Sequence, residues 1–302
     1  MVNSILITGG GGFVGSHLVN YLSKKKVKCV VLSRKESNLK RLRLNKNIFI
    51  KRTNNFLSEK VLKDLKKFNP SSVIHCAWNG VQSYARNNNI QKNNLKLSLD
   101  TVKLASILNC VSWTGLGSHA EYGQIKKKIT ENDKCNPTTF YGVVKLKTGK
   151  ACLKACDDSK IMGKWVRIFD TYGPKDNKSW LIPYIIDSLK KKKSPSLTKC
   201  EQIWDFLHID DAVNAIVKLH QSNTTGIYNL GSENPRPLKE YISIIYDNFS
   251  SNIEPVFGKK PYRNDQVMCL YPDISKISNQ IRWKPKISFK NGIKNLIEYE
   301  NI

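Results

Sequence analysis

The sequence predicts an α/β fold: a doubly wound parallel sheet joined to a smaller, mixed C-terminal part. Three observations carry that expectation. Short apolar runs alternate with amphipathic helical periods from residue 4 to residue 169, the order that builds parallel sheets. A glycine-rich turn joins the first strand to the first helix. The chain has 302 residues, 40% hydrophobic and 25% charged, which is ordinary globular usage and enough for one large or two modest domains.

Taken in order, 4–8 reads as a buried strand and is followed by a helix with Phe13, Val14, His17, Leu18, Tyr21 and Leu22 on one face. Strands 28–32 and 48–50 come next, then helix 58–68, strand 72–76, helix 93–108, strand 110–113, helix 138–156 and strand 165–169. After Gly173-Pro174 the alternation loosens into helix 180–192, a Pro/Ser/Lys stretch, helix 210–220, strand 226–230 and helix 237–249. Residues 1–173 are therefore expected to form one domain, which also receives about 206–230, with 174–302 mainly building the second. Ligands of such sheets bind at the carboxyl ends of the strands, so the cleft between the two parts is the expected site.

Composition narrows the function. No apolar run approaches the roughly 18 residues of a membrane span. Met1 leads directly into Ile5-Leu6-Ile7 without a basic leader region, so a cytoplasmic protein is expected. The eight cysteines are scattered without a C-x-x-C pair, which reads as reduced thiols with neither a disulfide scaffold nor a metal site. The net charge of +26 comes from 41 Lys against 9 Arg, in runs such as Lys24-Lys25-Lys26 and Lys126-Lys127-Lys128. Base readers favour forked Arg. These lysines read as a solvated surface, with neither nucleic acid nor membrane as partner, although a basic surface attracts phosphorylated substrates.

The turn Thr8-Gly9-Gly10-Gly11-Gly12-Phe13-Val14-Gly15 places Gly9, Gly12 and Gly15 at T-G-x-x-G-x-x-G spacing between strand and helix. Glycines there let the backbone turn tightly and approach a pyrophosphate at the helix N-terminus, the dinucleotide fingerprint. The second strand ends in Ser33-Arg34-Lys35 rather than an acidic residue. Two cations and a hydroxyl suit a 2′-phosphate, so NADP(H) is the expected cofactor, with NAD(H) left open.

Tyr141 and Lys145 stand four apart at the start of a predicted helix, so they share a face. A cation near a phenol favours the phenolate, giving an acid/base able to work near neutrality. Upstream, Gly115-Leu116-Gly117-Ser118 would bring the Ser118 hydroxyl to the carboxyl edge of the sheet.

With glycine turn, strand-end Ser and Tyr/Lys pair in this order, the chain resembles the extended short-chain dehydrogenase/reductases acting on nucleotide sugars, which have a Rossmann domain. The resemblance runs through Val73-Ile74-His75-Cys76-Ala77, Asn93-Asn94, Tyr172-Gly173-Pro174, Trp204 to Asp211, Tyr228-Asn229-Leu230-Gly231 and Asp273-Ile274-Ser275-Lys276. It implies Tyr141 as acid/base, Lys145 on the nicotinamide ribose and Ser118 orienting the substrate. By the same resemblance Ala77 and Asn94 lie on the cofactor side, Asp170 meets the substrate, and Arg263 pairs the diphosphate of a nucleotide-diphosphate sugar. It also implies a homodimer built through the two helices flanking the site.

Departures from the family pattern narrow the reaction. Dehydratases of the family carry an acidic pair directly after the Ser/Thr, and the reductases that also epimerise use a cysteine at the second of those positions. Here stand His119 and Ala120, and Glu121 is one place too far. The usual Arg before Asp-Phe is Trp204, the acidic residue after the third strand is replaced by Thr53-Asn54-Asn55, and Asp170 stands where epimerases often have Asn. Plain redox chemistry at one carbon remains. The segments Ala77-Trp78-Asn79-Gly80-Val81 and Glu201 to Phe206 most resemble the CDP-abequose-synthase type of 4-ketoreductase. The expected function is an NADPH-dependent reductase of a nucleotide-linked 4-keto-6-deoxy sugar, in polysaccharide or glycoconjugate biosynthesis. An NAD-dependent nucleotide-sugar 4-epimerase is the alternative. A non-catalytic dinucleotide sensor or RNA-binding relative is a second one.

Overall fold

The structure, a computed structural model, describes residues 4–249, 253–263 and 265–300. Met1, where the leader reading begins, and Asn264, beside Arg263, lie outside the described residues. The first half runs β1 (Ser4–Thr8), α1 (Phe13–Lys24), β2 (Lys28–Ser33), β3 (Ile48–Arg52), α2 (Glu59–Lys66), β4 (Pro70–His75), α3 (Lys92–Ile107), β5 (Ser112–Ser118), α4 (Phe140–Asp158) and β6 (Met162–Ile168). The second half runs β7 (Thr171–Tyr172), α5 (Leu181–Lys190), β8 (Ile203–Trp204), β9 (Leu207–His208), α6 (Ile209–Gln221), β10 (Gly226–Leu230), β11 (Arg236–Pro237), α7 (Leu238–Asp247), α8 (Ser275–Ile281) and α9 (Phe289–Glu300).

Seven strands form one parallel sheet in the order β10-β6-β5-β4-β1-β2-β3. Central strands of such a sheet are covered on both faces and so carry nearly continuous apolar runs, as Ile5-Leu6-Ile7 and Val30-Val31-Leu32 do, all buried. One face packs Ile5, Ile7, Val31 and Ile74 against α1 and α6 through Leu18, Leu22, Val213 and Ile216. The other packs Leu6, Val30 and Val73 against α2, α3 and α4 through Leu65, Val102 and Cys152. The strand order reverses between β1 and β4, which opens the crevice at their carboxyl ends.

One strand is longer than its sequence suggested. Gly115 and Gly117 read as the end of strand 110–113, yet β5 continues through both to Ser118. They remain in a central strand because Trp113 and Trp165 stack beside them, ring centroids 6.2 Å apart and only 7° from parallel. A Cβ on Gly115 would stand 2.3 Å from the Trp113 ring, and one on Gly117 2.4 Å from the Trp165 indole nitrogen. The glycines make room for indoles rather than a turn.

Beyond the sheet, α5, α7 and α9 enclose a separate core of Tyr172, Ile185, Phe206, Tyr241, Phe289 and Ile293. Parallel β7–β9 and antiparallel β8–β11 link it to the ends of β6 and β10. Helices α8 and α9 were not anticipated, although Phe289, Ile293 and Leu296 carry the i, i+4, i+7 spacing of a buried helical stripe and all three are buried. The eight cysteines are free thiols. Among the described residues no helix is long and apolar enough to cross a membrane, and no group of three or more His, Cys, Asp or Glu could hold a metal ion.

Candidate active site

The turn after β1 is as tight as its glycines require. Gly9 adopts φ +71°, and a Cβ there would meet the Ala77 backbone nitrogen at 2.5 Å. A Cβ on Gly15 would fall 2.2 Å from the Gly9 carbonyl, so α1 can approach the turn only without a side chain at that point. Gly12 caps α1 with no side-chain bond to the first-turn N–H groups, leaving donors and the positive end of the helix facing the crevice.

Two adjoining recesses share Gly9, Gly12, Cys76 and Trp78 as walls. The smaller, about 330 Å³, reaches Ser33, Arg34, Glu36 and Ala77. Ser33 is buried and its hydroxyl has no hydrogen-bond partner, while Arg34 pairs with Glu36 at 3.4 Å. The larger, about 640 Å³, runs past Phe13, Val14 and Gly15 to Ser118, Tyr141, Lys145 and Asp170, and on to Arg263. This continuous groove fits an extended dinucleotide: donors at the glycine turn, an orphaned hydroxyl at the β2 end, and the titratable Tyr141, Lys145 and Asp170 at the other.

Tyr141 is set by the first turn of α4, where three otherwise orphaned N–H groups each find a partner. Phe140 N–H donates to the Asn87 side chain (2.9 Å), Tyr141 N–H to the Arg86 carbonyl (2.8 Å) and Gly142 N–H to Thr139 Oγ1 (3.1 Å). Burial raises the Tyr141 phenol above its ordinary value, opposed by the Arg86 guanidinium and a hydrogen bond with Ser118. Lys145 is buried, donates to the Leu116 carbonyl at 2.6 Å and lies 3.6 Å from the Trp78 ring centroid. Burial pushes it down to about 7, against the attraction of Glu121.

Ser118 is positioned by Glu121. One Glu121 carboxylate oxygen accepts from the Ser118 N–H (2.9 Å) and from the Trp165 indole (2.9 Å), and the other accepts from Arg167 Nε (2.8 Å) in a fully buried ion pair. Glu121 is thus committed below the sheet edge and offers no carboxylate to the groove. Ser118 Oγ accepts from Ala120 N–H at 3.2 Å and directs its own hydrogen towards Tyr141.

At the far wall, Trp204 donates its indole N–H to Asp170 at 2.8 Å. Burial lifts the Asp170 carboxyl to about 6 and the nearby Asp176 carboxyl to about 7. His119 packs against Phe169 and Trp204. Its ring is pushed down to about 3 by burial, helped by Arg86, and its Nδ1 is buried without a partner.

The groove therefore gathers most residues expected from the sequence, with three placed differently. Thr8 is fully buried beneath the turn, bonded to His75 Nδ1 at 2.7 Å. Asn94 lines neither recess; its amide spans the Asn79 N–H (2.8 Å) and carbonyl (3.0 Å), clamping the loop after β4. Arg263 sits at the outer rim, more than half exposed and paired with Asp265 at 3.4 Å. Sequence reasoning missed Arg86, Asp176 and Glu36, which lie in loops without a motif.

A family model described as the NAD dependent epimerase/dehydratase family matches residues 5–231. UDP-glucuronic acid decarboxylase 1 of Arabidopsis thaliana is 24% identical over 310 residues, 97% of this chain and 68% of its own length. CDP-abequose synthase of Yersinia pseudotuberculosis is 25% identical over 291 residues, 94% of this chain and 96% of its own. Among solved structures, the UDP-N-acetylglucosamine 4-epimerase from Methanobrevibacter ruminantium M1, in complex with UDP-N-acetylmuramic acid, matches with a TM-score of 0.90 at 20% identity, covering 100% of this chain and 99% of that one. At that identity the likeness is one of fold.

Proposed function

The chain belongs to the NAD dependent epimerase/dehydratase family, and within it we propose an NADPH-dependent reductase of a nucleotide-linked 4-keto-6-deoxy sugar. It is an NAD(P)-dependent enzyme of the oxidoreductase type, from a family whose members modify nucleotide sugars. A cytoplasmic homodimer and a mainly substrate-binding region beyond residue 174 are parts of the same proposal.

Gly9, Gly12, Gly15, Phe13 and Val14 would hold the dinucleotide along the turn, Ser33, Arg34 and Ala77 its adenosine end. When bound, the nicotinamide supplies the hydride. Tyr141 Oη gives its proton to the oxygen forming at sugar C4 and is left as phenolate. Ser118 would turn its hydroxyl hydrogen from Tyr141 to the same oxygen. Lys145 and Arg86 supply the positive charge that favours the phenolate, and Asp170 takes a hydroxyl of the sugar. Arg263 and Lys260 line the outer part of the groove and would hold the diphosphate.

The withdrawal of Glu121 into its pair with Arg167 is the observation that carries this reading. With His119 and Ala120 in the adjoining positions, the segment directly after Ser118 presents neither a carboxylate nor a thiol to the groove for elimination or for epimerisation next to the carbonyl. Redox at one carbon fits what is left. One observation favours the 4-epimerase: Glu36 lines the β2-end recess, where a carboxylate suits the free ribose hydroxyls of NAD.

The test is oxidation of NADPH and NADH, followed by absorbance, against GDP-, CDP-, dTDP- and UDP-linked 4-keto-6-deoxy sugars made in situ. Oxidation with one nucleotide class establishes the reductase and its substrate. Silence across that panel, with intact UDP-sugars interconverted instead, assigns the epimerase.

A further inference from the structure

We propose that Arg86 is a positioning residue for Tyr141: its main-chain carbonyl fixes the helical turn carrying the phenol, and its uncompensated guanidinium favours the phenolate during proton transfer. The inference deepens the function proposed above and rests on Tyr141 being the acid/base.

Three observations carry it. The Arg86 carbonyl accepts the Tyr141 N–H at 2.8 Å, and its neighbour Asn87 accepts the preceding N–H. The loop between β4 and α3 thus serves as cap of the catalytic helix. The guanidinium carbon stands 5.4 Å from the Tyr141 ring centroid, within cation–π range. Finally, the guanidinium is free to act at a distance. Its one side-chain hydrogen bond is a long one, Nε to the Val81 carbonyl at 3.4 Å, and among the described residues no carboxylate comes within ion-pair distance of it.

The charges around the phenol make this cation the durable one. From its own helix Tyr141 faces Lys145, whose burial leaves it only partly charged near neutrality. From the segment after β5 come Glu121, which is neutralised by Arg167, and His119, which burial keeps uncharged. From the end of β6 comes Asp170, half-ionised near pH 6. Of these cations, Arg86 alone is both unpaired among the described residues and fully charged at every working pH.

The test replaces Arg86 by Met and by Lys, both of which keep the main-chain carbonyl, with circular dichroism as the check on folding. Tyrosine labelled with ¹³C at Cζ is titrated by NMR, the Tyr141 resonance being identified by its loss in Tyr141→Phe. Arg86→Met should move the Tyr141 titration upward by about one pH unit, and Arg86→Lys should restore most of it. The Tyr141-dependent limb of kcat should move the same way, with KM for the nucleotide sugar little changed. Superimposable titrations of wild type and Arg86→Met would overturn the proposal. So would a raised KM with an unmoved titration, which would make Arg86 a substrate ligand instead. Because the NMR readout needs no turnover, a wrong substrate assignment cannot be mistaken for failure of this inference.

Discussion

Trp204 and Asp170 are joined by a 2.8 Å hydrogen bond from indole to carboxylate. Each departs from the family pattern, and the two departures are one feature. The N–H offered where an Arg is usual holds the carboxylate that stands where an amide is usual. A neutral donor stabilises the charge less than a guanidinium would, so burial still leaves Asp170 at about 6.

Asp170→Asn should therefore stabilise the protein above pH 6. A raised carboxyl keeps its proton in the folded state while the unfolded chain loses it between about pH 4 and pH 6, so stability falls as pH rises through that window. Asn keeps an acceptor for Trp204 without the charge. The gain is roughly 1–3 kcal/mol at pH 7.5 and vanishes below about pH 4, which urea denaturation at both pH values measures. A variant less stable than wild type at pH 7.5 would contradict it.

Glu121→Gln should be strongly destabilising, by about 3–5 kcal/mol, because Arg167 would remain as an unpaired buried cation. Replacing both residues by Met should recover much of the loss in urea midpoint. Turnover should stay low even in the double variant, since the Ser118 N–H also loses its acceptor.

Tyr141→Phe should lower turnover at least 100-fold, the scale of a lost general acid, with dinucleotide affinity nearly intact. Stopped-flow turnover and fluorescence titration of NADPH separate the two. Near-normal turnover removes Tyr141 from the chemistry.

For cofactor choice, Ser33→Asp with Arg34→Ala should shift kcat/KM from NADPH towards NADH by setting a carboxylate against the 2′-phosphate. Glu36→Ala should do the reverse, because it frees Arg34 from its 3.4 Å ion pair. Steady-state kinetics with both cofactors read the ratio; a wild type already preferring NADH would refute the NADPH assignment.

Lys164 provides a test far from the groove. It is fully buried and, among the described residues, is held by Ser112 Oγ (2.9 Å) and the His220 carbonyl (3.4 Å). Burial pushes it down to about 8. The folded state then releases a proton that the unfolded chain keeps up to about pH 10.4, so stability rises from pH 8 through that window. Lys164→Met should be more stable than wild type at pH 7 and should lack the rise, measured by denaturant midpoints from pH 7 to 10.

Much of the groove was legible because its residues act through local spacing. Gly9, Gly12 and Gly15 are needed within one turn, and Tyr141 and Lys145 share one helix face. The β5 extension was hidden because Gly115 and Gly117 answer to Trp113 and Trp165, and a glycine's sequence does not say which indole needs its space. Asn94 and Thr8 looked like groove residues but hold the loops that form it, since their partners, Asn79 and His75, are settled only by folding.

The alternation of strand and helix, the glycine turn at the head of α1 and the shared helix face of Tyr141 and Lys145 are already written in the chain. All of these follow from periods and contacts within a few residues of the chain. It took the folded chain to pair Glu121 with Arg167 rather than leave it to the groove, to set Trp204 against Asp170, and to bring Arg86 over Tyr141. Charge acts through space: residues 46, 34 and 55 positions apart become partners only when the sheet brings the ends of its strands together.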